Sequence, residues 1–264
     1  MPRVTTEIRD HIAHVTLTRP DKRNAVDPEM AEAIVAAGQA LTEADIRAVV
    51  LSGEGQSFCA GLDVMSFAAL ARGDPEALIL PRSHGNTNLF QEVAMVWHRL
   101  PVPVIAALQG AVYGAGFQLA LGADIRIASP EAQLAIMEMK WGLIPDMGGM
   151  ALLPHLTRSD VIRRLTYTAS PIPAAQAEAW GLVTEVSDDS LGAARDLAQE
   201  IATRSPSAIR AAKRLIAVAE SGAGEDAVLM EESREQAALI GQPDQMEQIA
   251  ANMAGRVPVF GGNG

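Results

Sequence analysis

The sequence lacks the marks of an exported, metal-dependent or nucleic-acid-binding protein. Its 264 residues contain one cysteine, Cys59, so no internal disulfide framework can form and a reducing compartment is the natural setting. There is no basic run: 21 lysines and arginines against 32 aspartates and glutamates give a formal charge of -11, which opposes contact with nucleic-acid backbones or anionic membranes. The histidines are few and scattered. His11 and His14 fall three apart in a segment read as a strand, so they face opposite ways, and no pair has ligand spacing. No metal or other cofactor is expected. The opening "MPRVTTEIRDHIAHVTL" carries charge where an export signal needs its apolar centre, so a cytoplasmic location is expected. The most apolar stretch, residues 102–123, is interrupted by Pro103, four glycines, Gln109 and Gln118, and reads as strand, turn and helix instead of a membrane span.

What is present is a chain with 48% apolar content, enough for one large domain or a domain with a substantial extension. "RVTTEIRD" and "IAHVTLTRP" alternate as a hairpin of strands that Pro20 ends. Asp27 is placed to cap a helix that has Pro28 in its first turn and runs to Leu41. "RAVVLSG" is then a buried strand leading into the loop "GEGQSFCAGLD". Helices are expected over Val64 to Arg72 and Asn86 to Arg99, with an irregular, lid-like piece, "GDPEALILPRSHG", between them. Strands follow at "VPVIAALQG", "DIRIAS" and "QLAIM". From about Ser159 the pattern is mostly helical, with "LVTEV" as one more strand. Strands separated by helices imply an α/β sheet with crossovers.

Several motifs admit two readings. Gly53 and Gly55 after a strand invite a dinucleotide loop, but the third fingerprint glycine is missing, which leaves a plain loop as the better reading. Asp63 fits a helix N-cap or an acid in a site. Cys59 has no histidine near it in sequence and reads as a small packing residue in preference to a nucleophile. Gly114, Ala115 and Gly116 either allow close helix packing or let a ligand approach the free amides of a helix start. Trp141 fills the core or walls a pocket, and core is the commoner fate. Glu138 and Asp146 bracket a segment rich in Met, Trp, Leu and Ile, where a carboxylate caps a turn or becomes, through desolvation, an acid or base usable near neutral pH. Asp next to Pro and ahead of Gly-Gly is also ordinary turn chemistry.

Taken in order, "RPDKRNAV", "SFCAGLDV", "GAVYGAGFQLALGADIRIAS" and "MEMKWGLIPDMGG" resemble the crotonase family, the enoyl-CoA hydratase/isomerase superfamily, over about residues 3 to 256. The resemblance implies an α/β fold, a spiral of β-β-α units over residues 1–195, followed by a helical oligomerisation region over residues 196–264. It also implies a homotrimer or a dimer of trimers, and an acyl-CoA thioester as the ligand. The family's two oxyanion amides map onto Leu62 and Ala115. CoA contacts map onto Lys22, Arg23, Asn24 and Ala25 and onto Ala60, Asp63 and Val64. Lys22 and Arg23 fit phosphate attraction and a solvated surface pair equally, while main-chain groups at Ala25 and Ala60 suit an adenine edge.

The two glutamates of a typical hydratase map onto Gln118 and Glu138. Gln118 cannot act as a carboxylate base, so the chain departs from that pattern and Gln118 is left as a substrate-binding candidate with Trp141. Family members that isomerise double bonds often carry an acid at the position of Asp146. The resemblance therefore implies an isomerase in which Asp146 moves a proton between carbons, Glu138 assists or positions the substrate, and Leu62 and Ala115 hold the enolate. Hydration of a 2-enoyl-CoA and non-catalytic acyl-CoA binding stand as alternatives.

Overall fold

The computed structural model describes residues 2–63, 65 and 73–261. Strands β1 (Val4–Arg9) and β2 (Ile12–Leu17) form the expected antiparallel hairpin. Its two-residue turn puts Asp10 and His11 at positive φ, the backbone that matches the twist of a tight hairpin. His11 thus lies in the turn and only His14 in the strand. Helix α1 (Pro28–Ala40) begins as read: the Asp27 side chain accepts the Met30 amide at 2.8 Å, and Pro28 occupies the first turn, where no hydrogen bond is lost. Strand β3 (Ala48–Gly53) follows, parallel to β2.

The helix expected over 64–72 lies, Met65 aside, outside the described residues. The piece after it is not irregular throughout, because Asp74 caps a short helix, α2 (Pro75–Ile79). Asn88 and Gln91 form a reciprocal capping box for α3 (Leu89–His98). Then come β4 (Val104–Leu108), β5 (Ala111–Tyr113), α4 (Ala115–Leu121), β6 (Ile125–Ala128), β7 (Gln133–Ala135) and a single 3-10 turn over Glu138–Trp141. Helices α5 (Gly149–Leu156) and α6 (Ser159–Thr168), strand β8 (Ile172–Pro173), helix α7 (Ala174–Ala179) and strand β9 (Glu185–Val186) complete the body.

The strands form two sheets. One runs β1-β2-β3-β4-β6-β9 and is parallel beyond the first hairpin; the other runs β5-β7-β8. A strand of the large sheet is followed by a strand of the small one and then a helix, and repetition of that unit produces the spiral. Both faces of the large sheet are covered, which explains why β3 and β4 read as continuous apolar runs. One face packs on the helices of the body. The other carries Ile12, Val50, Ile105 and Ile127 against Ala194, Ala198 and Ala202 of α8 (Ser190–Ala202), whose small side chains let the helix lie close to the sheet. A boundary between residues 195 and 196 therefore cuts a helix that belongs to the sheet.

Beyond it, α9 (Pro206–Glu220), α10 (Glu225–Leu239) and α11 (Pro243–Ala254) bury few residues. Lys213 of α9 ties back by donating to the Val102 carbonyl at 2.9 Å and to Asp124 at 2.7 Å. Leu229, Met230, Met246 and Met253 stay exposed on the last two helices. No helix of the described residues is long and apolar enough to cross a membrane.

Candidate active site

Two chain segments meet where the glycine-rich motifs lie. The loop after β3 is fastened along β5 by Phe58 N–H donating to Gln109 O at 2.8 Å, Cys59 N–H to Ala111 O at 3.1 Å and Tyr113 N–H to Cys59 O at 3.0 Å. A Cβ on Gly116 would come within 2.2 Å of the Cys59 carbonyl oxygen, so glycine is what allows α4 to start against this loop. Cys59 itself is a buried packing residue, and desolvation pushes its thiol pKa up to about 12.

The neighbours of Leu62 are used within the protein: Val26 N–H donates to Gly61 O and Asp63 N–H to Val26 O, both at 2.8 Å. The Leu62 amide between them has no acceptor among the described residues. Ala115 opens α4, where the first amides have no intrahelical acceptor. Leu62 and Ala115 border one chamber of about 250 Å³, together with Ala60, Gly114 and Glu138. Free amides beside a chamber are suited to hold an oxygen on which negative charge develops.

Glu138 comes from the 3-10 turn and is 7% exposed. Its Oε1 accepts a hydrogen bond from Gln118 Nε2 at 2.7 Å, and its Oε2 is buried without a partner. The Gln118 side chain, on α4 and 1% exposed, accepts the Met147 amide at 2.8 Å and the Gly149 amide at 3.1 Å through Oε1. Gly149 leaves room for it, since a Cβ there would stand 2.9 Å from Gln118 Cγ. Burial raises the Glu138 pKa; the Gln118 donor opposes the rise, and the negative charge of Asp146 adds to it.

A second, larger chamber of about 460 Å³ has mainly apolar walls that include Val26, Leu78, Ile79, Phe90, Ile144 and Met147. Asp146 lines this chamber only, whereas Leu62, Glu138 and Leu143 border both. The surface of Asp146 is open to solvent, yet the protein crowding its carboxyl disfavours the charged form and raises its pKa as well. The two carboxylates are thus placed differently: Glu138 beside the amides, Asp146 along the apolar chamber.

The other expected residues divide. The Asn24 side chain is fully buried and used within the protein: it donates to the Glu54, Ser57 and Phe58 carbonyls at 2.9 to 3.1 Å, and accepts the Arg19 amide at 2.9 Å. It fastens the loop. The amides of Ala25 and Ala60 are also used internally, on Lys22 O and Arg23 O; Ala60 still borders the amide chamber. Lys22 and Arg23 are exposed. Asp63 lines the larger chamber, pairs with Arg19 at 2.8 Å and accepts the Met65 amide at 3.1 Å. Val64 lies outside the described residues. Trp141 is not core: it is 61% exposed and borders the amide chamber.

Sequence reasoning missed Arg19, which bridges Asp27 and Asp63 and donates to Ala25 O; its position in "RPDKRN" was the available signal. It also missed Lys140, which borders the amide chamber, and Phe90, a wall of the larger one. Apolar wall residues such as Phe90 carry no mark that separates them from core.

Comparisons with known proteins give the family and the fold. The family model described as enoyl-CoA hydratase/isomerase matches residues 7–262. The human protein "Delta(3,5)-Delta(2,4)-dienoyl-CoA isomerase, mitochondrial" is 36% identical over 216 residues, 79% of this chain and 66% of that protein, so the match spans just under two thirds of its length. The 1,2-epoxyphenylacetyl-CoA isomerase of Escherichia coli is 32% identical over 98% of both chains. The crystal structure of an enoyl-CoA hydratase from Mycobacterium tuberculosis superimposes with a TM-score of 0.86 at 29% identity, covering 100% of both chains. With both motifs and fold in register, this chain belongs to the enoyl-CoA hydratase/isomerase family.

Proposed function

We propose that the protein is an acyl-CoA double-bond isomerase in which Glu138 and Asp146 exchange protons with different carbons of one acyl chain. The observation that carries this reading is the unequal placement of two carboxylates of raised pKa: one borders the free amides and the other lies farther along the apolar chamber. With the thioester oxygen on the Leu62 and Ala115 amides, the carbon next to the carbonyl falls within reach of Glu138. Ionised Glu138 takes a proton from that carbon, and the electron pair moves into the carbonyl to give an extended enolate. In the reactive form the one proton held by the pair lies on Asp146, which delivers it to a carbon farther along, and the double bond moves toward the thioester. The pair ends with its protonation exchanged and recovers through solvent.

A 3-enoyl- or 3,5-dienoyl-CoA fits this scheme, and a relative named for a dienoyl-CoA isomerase supports it. Gln118 weighs against hydration through two glutamates, because an amide that donates to Glu138 supplies no carboxylic acid of its own. The test is the absorbance of the conjugated thioester after mixing with 3-enoyl-CoA and 3,5-dienoyl-CoA. Asp146→Asn and Glu138→Gln should each lose about a hundredfold or more in rate. Full activity in Asp146→Asn would remove Asp146 from the mechanism. Consumption of 2-enoyl-CoA that depends on Glu138 alone would favour a hydratase.

A further inference from the structure

We infer that Gln118 is a positioning residue: it reserves a single oxygen of Glu138, Oε2, for proton exchange with the substrate and ties that carboxylate to the turn that carries Asp146. The orientation of the Gln118 amide follows from its neighbours. The Met147 and Gly149 backbone groups at 2.8 and 3.1 Å are N–H donors, so the atom facing them must be the oxygen. The NH₂ group is thereby turned toward Glu138, 2.7 Å from Oε1. Oε1 is the acceptor for that donor, so a proton arriving on Glu138 is favoured on Oε2, the oxygen that no donor faces. Oε2 is buried, unpartnered in the protein and part of the residue that borders both chambers.

The same amide ties two segments distant in sequence. Gln118 lies on α4, whose start supplies the Ala115 amide, while Met147 and Gly149 flank the turn beyond Asp146. One side chain therefore relates the oxyanion amide, Glu138 and Asp146 to one another. Glycine at 114 belongs to this arrangement, since a Cβ there would stand 3.3 Å from Glu138 Oε1. The inference deepens the proposed isomerase reaction and rests on it for the fate of the proton, but not for the protonation state of Glu138.

Gln118→Glu separates positioning from simple space filling. A glutamate has the same length and can still accept both backbone amides through one oxygen. Its other oxygen would face Glu138 Oε1, and two carboxylates at that separation share a proton. If the Gln118 NH₂ group does not face Oε1 and the residue only satisfies the two backbone amides, the variant keeps the parent pH profile. If it reserves Oε2, the acid limb of kcat moves upward, with about a tenfold loss at mildly acidic pH relative to the variant's own alkaline plateau, and KM changes little. Gln118→Met removes both functions and serves as the folding control, its melting temperature falling because two buried N–H groups lose their acceptor.

A ¹³C NMR titration of the side-chain carboxyls, with Glu138 assigned by its absence in Glu138→Gln, reads protonation without turnover. An upward move of the Glu138 midpoint in Gln118→Glu supports the inference even if no tested thioester is converted, an outcome that would count against the isomerase reading alone. An unmoved midpoint and an unshifted kcat profile would overturn the inference.

Discussion

Two buried glutamates in this chain stand in opposite surroundings. Glu92 on α3 and Glu138 in the 3-10 turn are 6% and 7% exposed. Glu92 Oε2 accepts from Arg99 at 2.7 Å and from the Thr87 hydroxyl at 2.6 Å. Asp27, equally buried, is held by Arg3 at 2.6 Å and Arg19 at 3.2 Å. Glu138 has the neutral amide of Gln118 and backbone N–H groups of its own turn but, among the described residues, no cation. Burying a carboxylate without a counter-ion costs free energy, so a fold that pairs Asp27 and Glu92 with cations but leaves Glu138 without one fits the proton-transfer role proposed for Glu138. The difference lies in what surrounds the carboxylates, because depth of burial is nearly the same.

That contrast can be broken from either side. The larger effect on stability should come from the paired region. Arg99→Met leaves the Glu92 charge with only a hydroxyl donor, and the expected loss is about 2 kcal/mol, reduced from the figure for a fully buried pair because Arg99 is partly exposed. Urea unfolding measures it, and a loss near zero would mean that Glu92 is not compensated by Arg99.

A smaller effect of opposite sign is expected at the site. The folded-state pKa of Glu138 is raised, chiefly by desolvation; the stability associated with its neutral form is fully present below the unfolded carboxyl pKa and is lost as pH rises through the folded value. Glu138→Gln removes that titration. The variant should be more stable than the parent at neutral pH and gain nothing in acid. Unfolding measured between about pH 4 and about pH 8 reads the difference, and a pH-independent gain would assign it to packing. The catalytic counterpart is an acid limb of kcat/KM above the ordinary carboxylate range, since protonating Glu138 removes the base while Asp146 reacts in its neutral form.

Much of the fold was legible because it depends on local chemistry. Asp27 followed by Pro28 announces a helix start, and the apolar runs of β3 and β4 announce strands buried on both faces. The family motifs placed Leu62, Ala115, Glu138 and Asp146 around connected chambers. What was not legible depends on partners distant in sequence. Nothing in "KRNAV" shows that the Asn24 side chain closes onto carbonyls at residues 54, 57 and 58. Gln118 read as a lost base, and its link to the amides of 147 and 149 exists only once α4 and the later turn are packed together. Trp141 is exposed at a chamber mouth, where the average fate of a tryptophan misleads. The packing of Ala194, Ala198 and Ala202 of α8 on the sheet likewise depends on strands distant in sequence.

The measurement that most directly tests the division of labour between the two carboxylates is proton exchange in D₂O, followed by NMR on the acyl chain of a bound enoyl-CoA. The account predicts that Asp146→Asn still exchanges the hydrogens on the carbon beside the thioester while losing deuterium uptake farther along the chain, and that Glu138→Gln loses exchange at the first carbon. Persistent exchange beside the thioester in Glu138→Gln would contradict it.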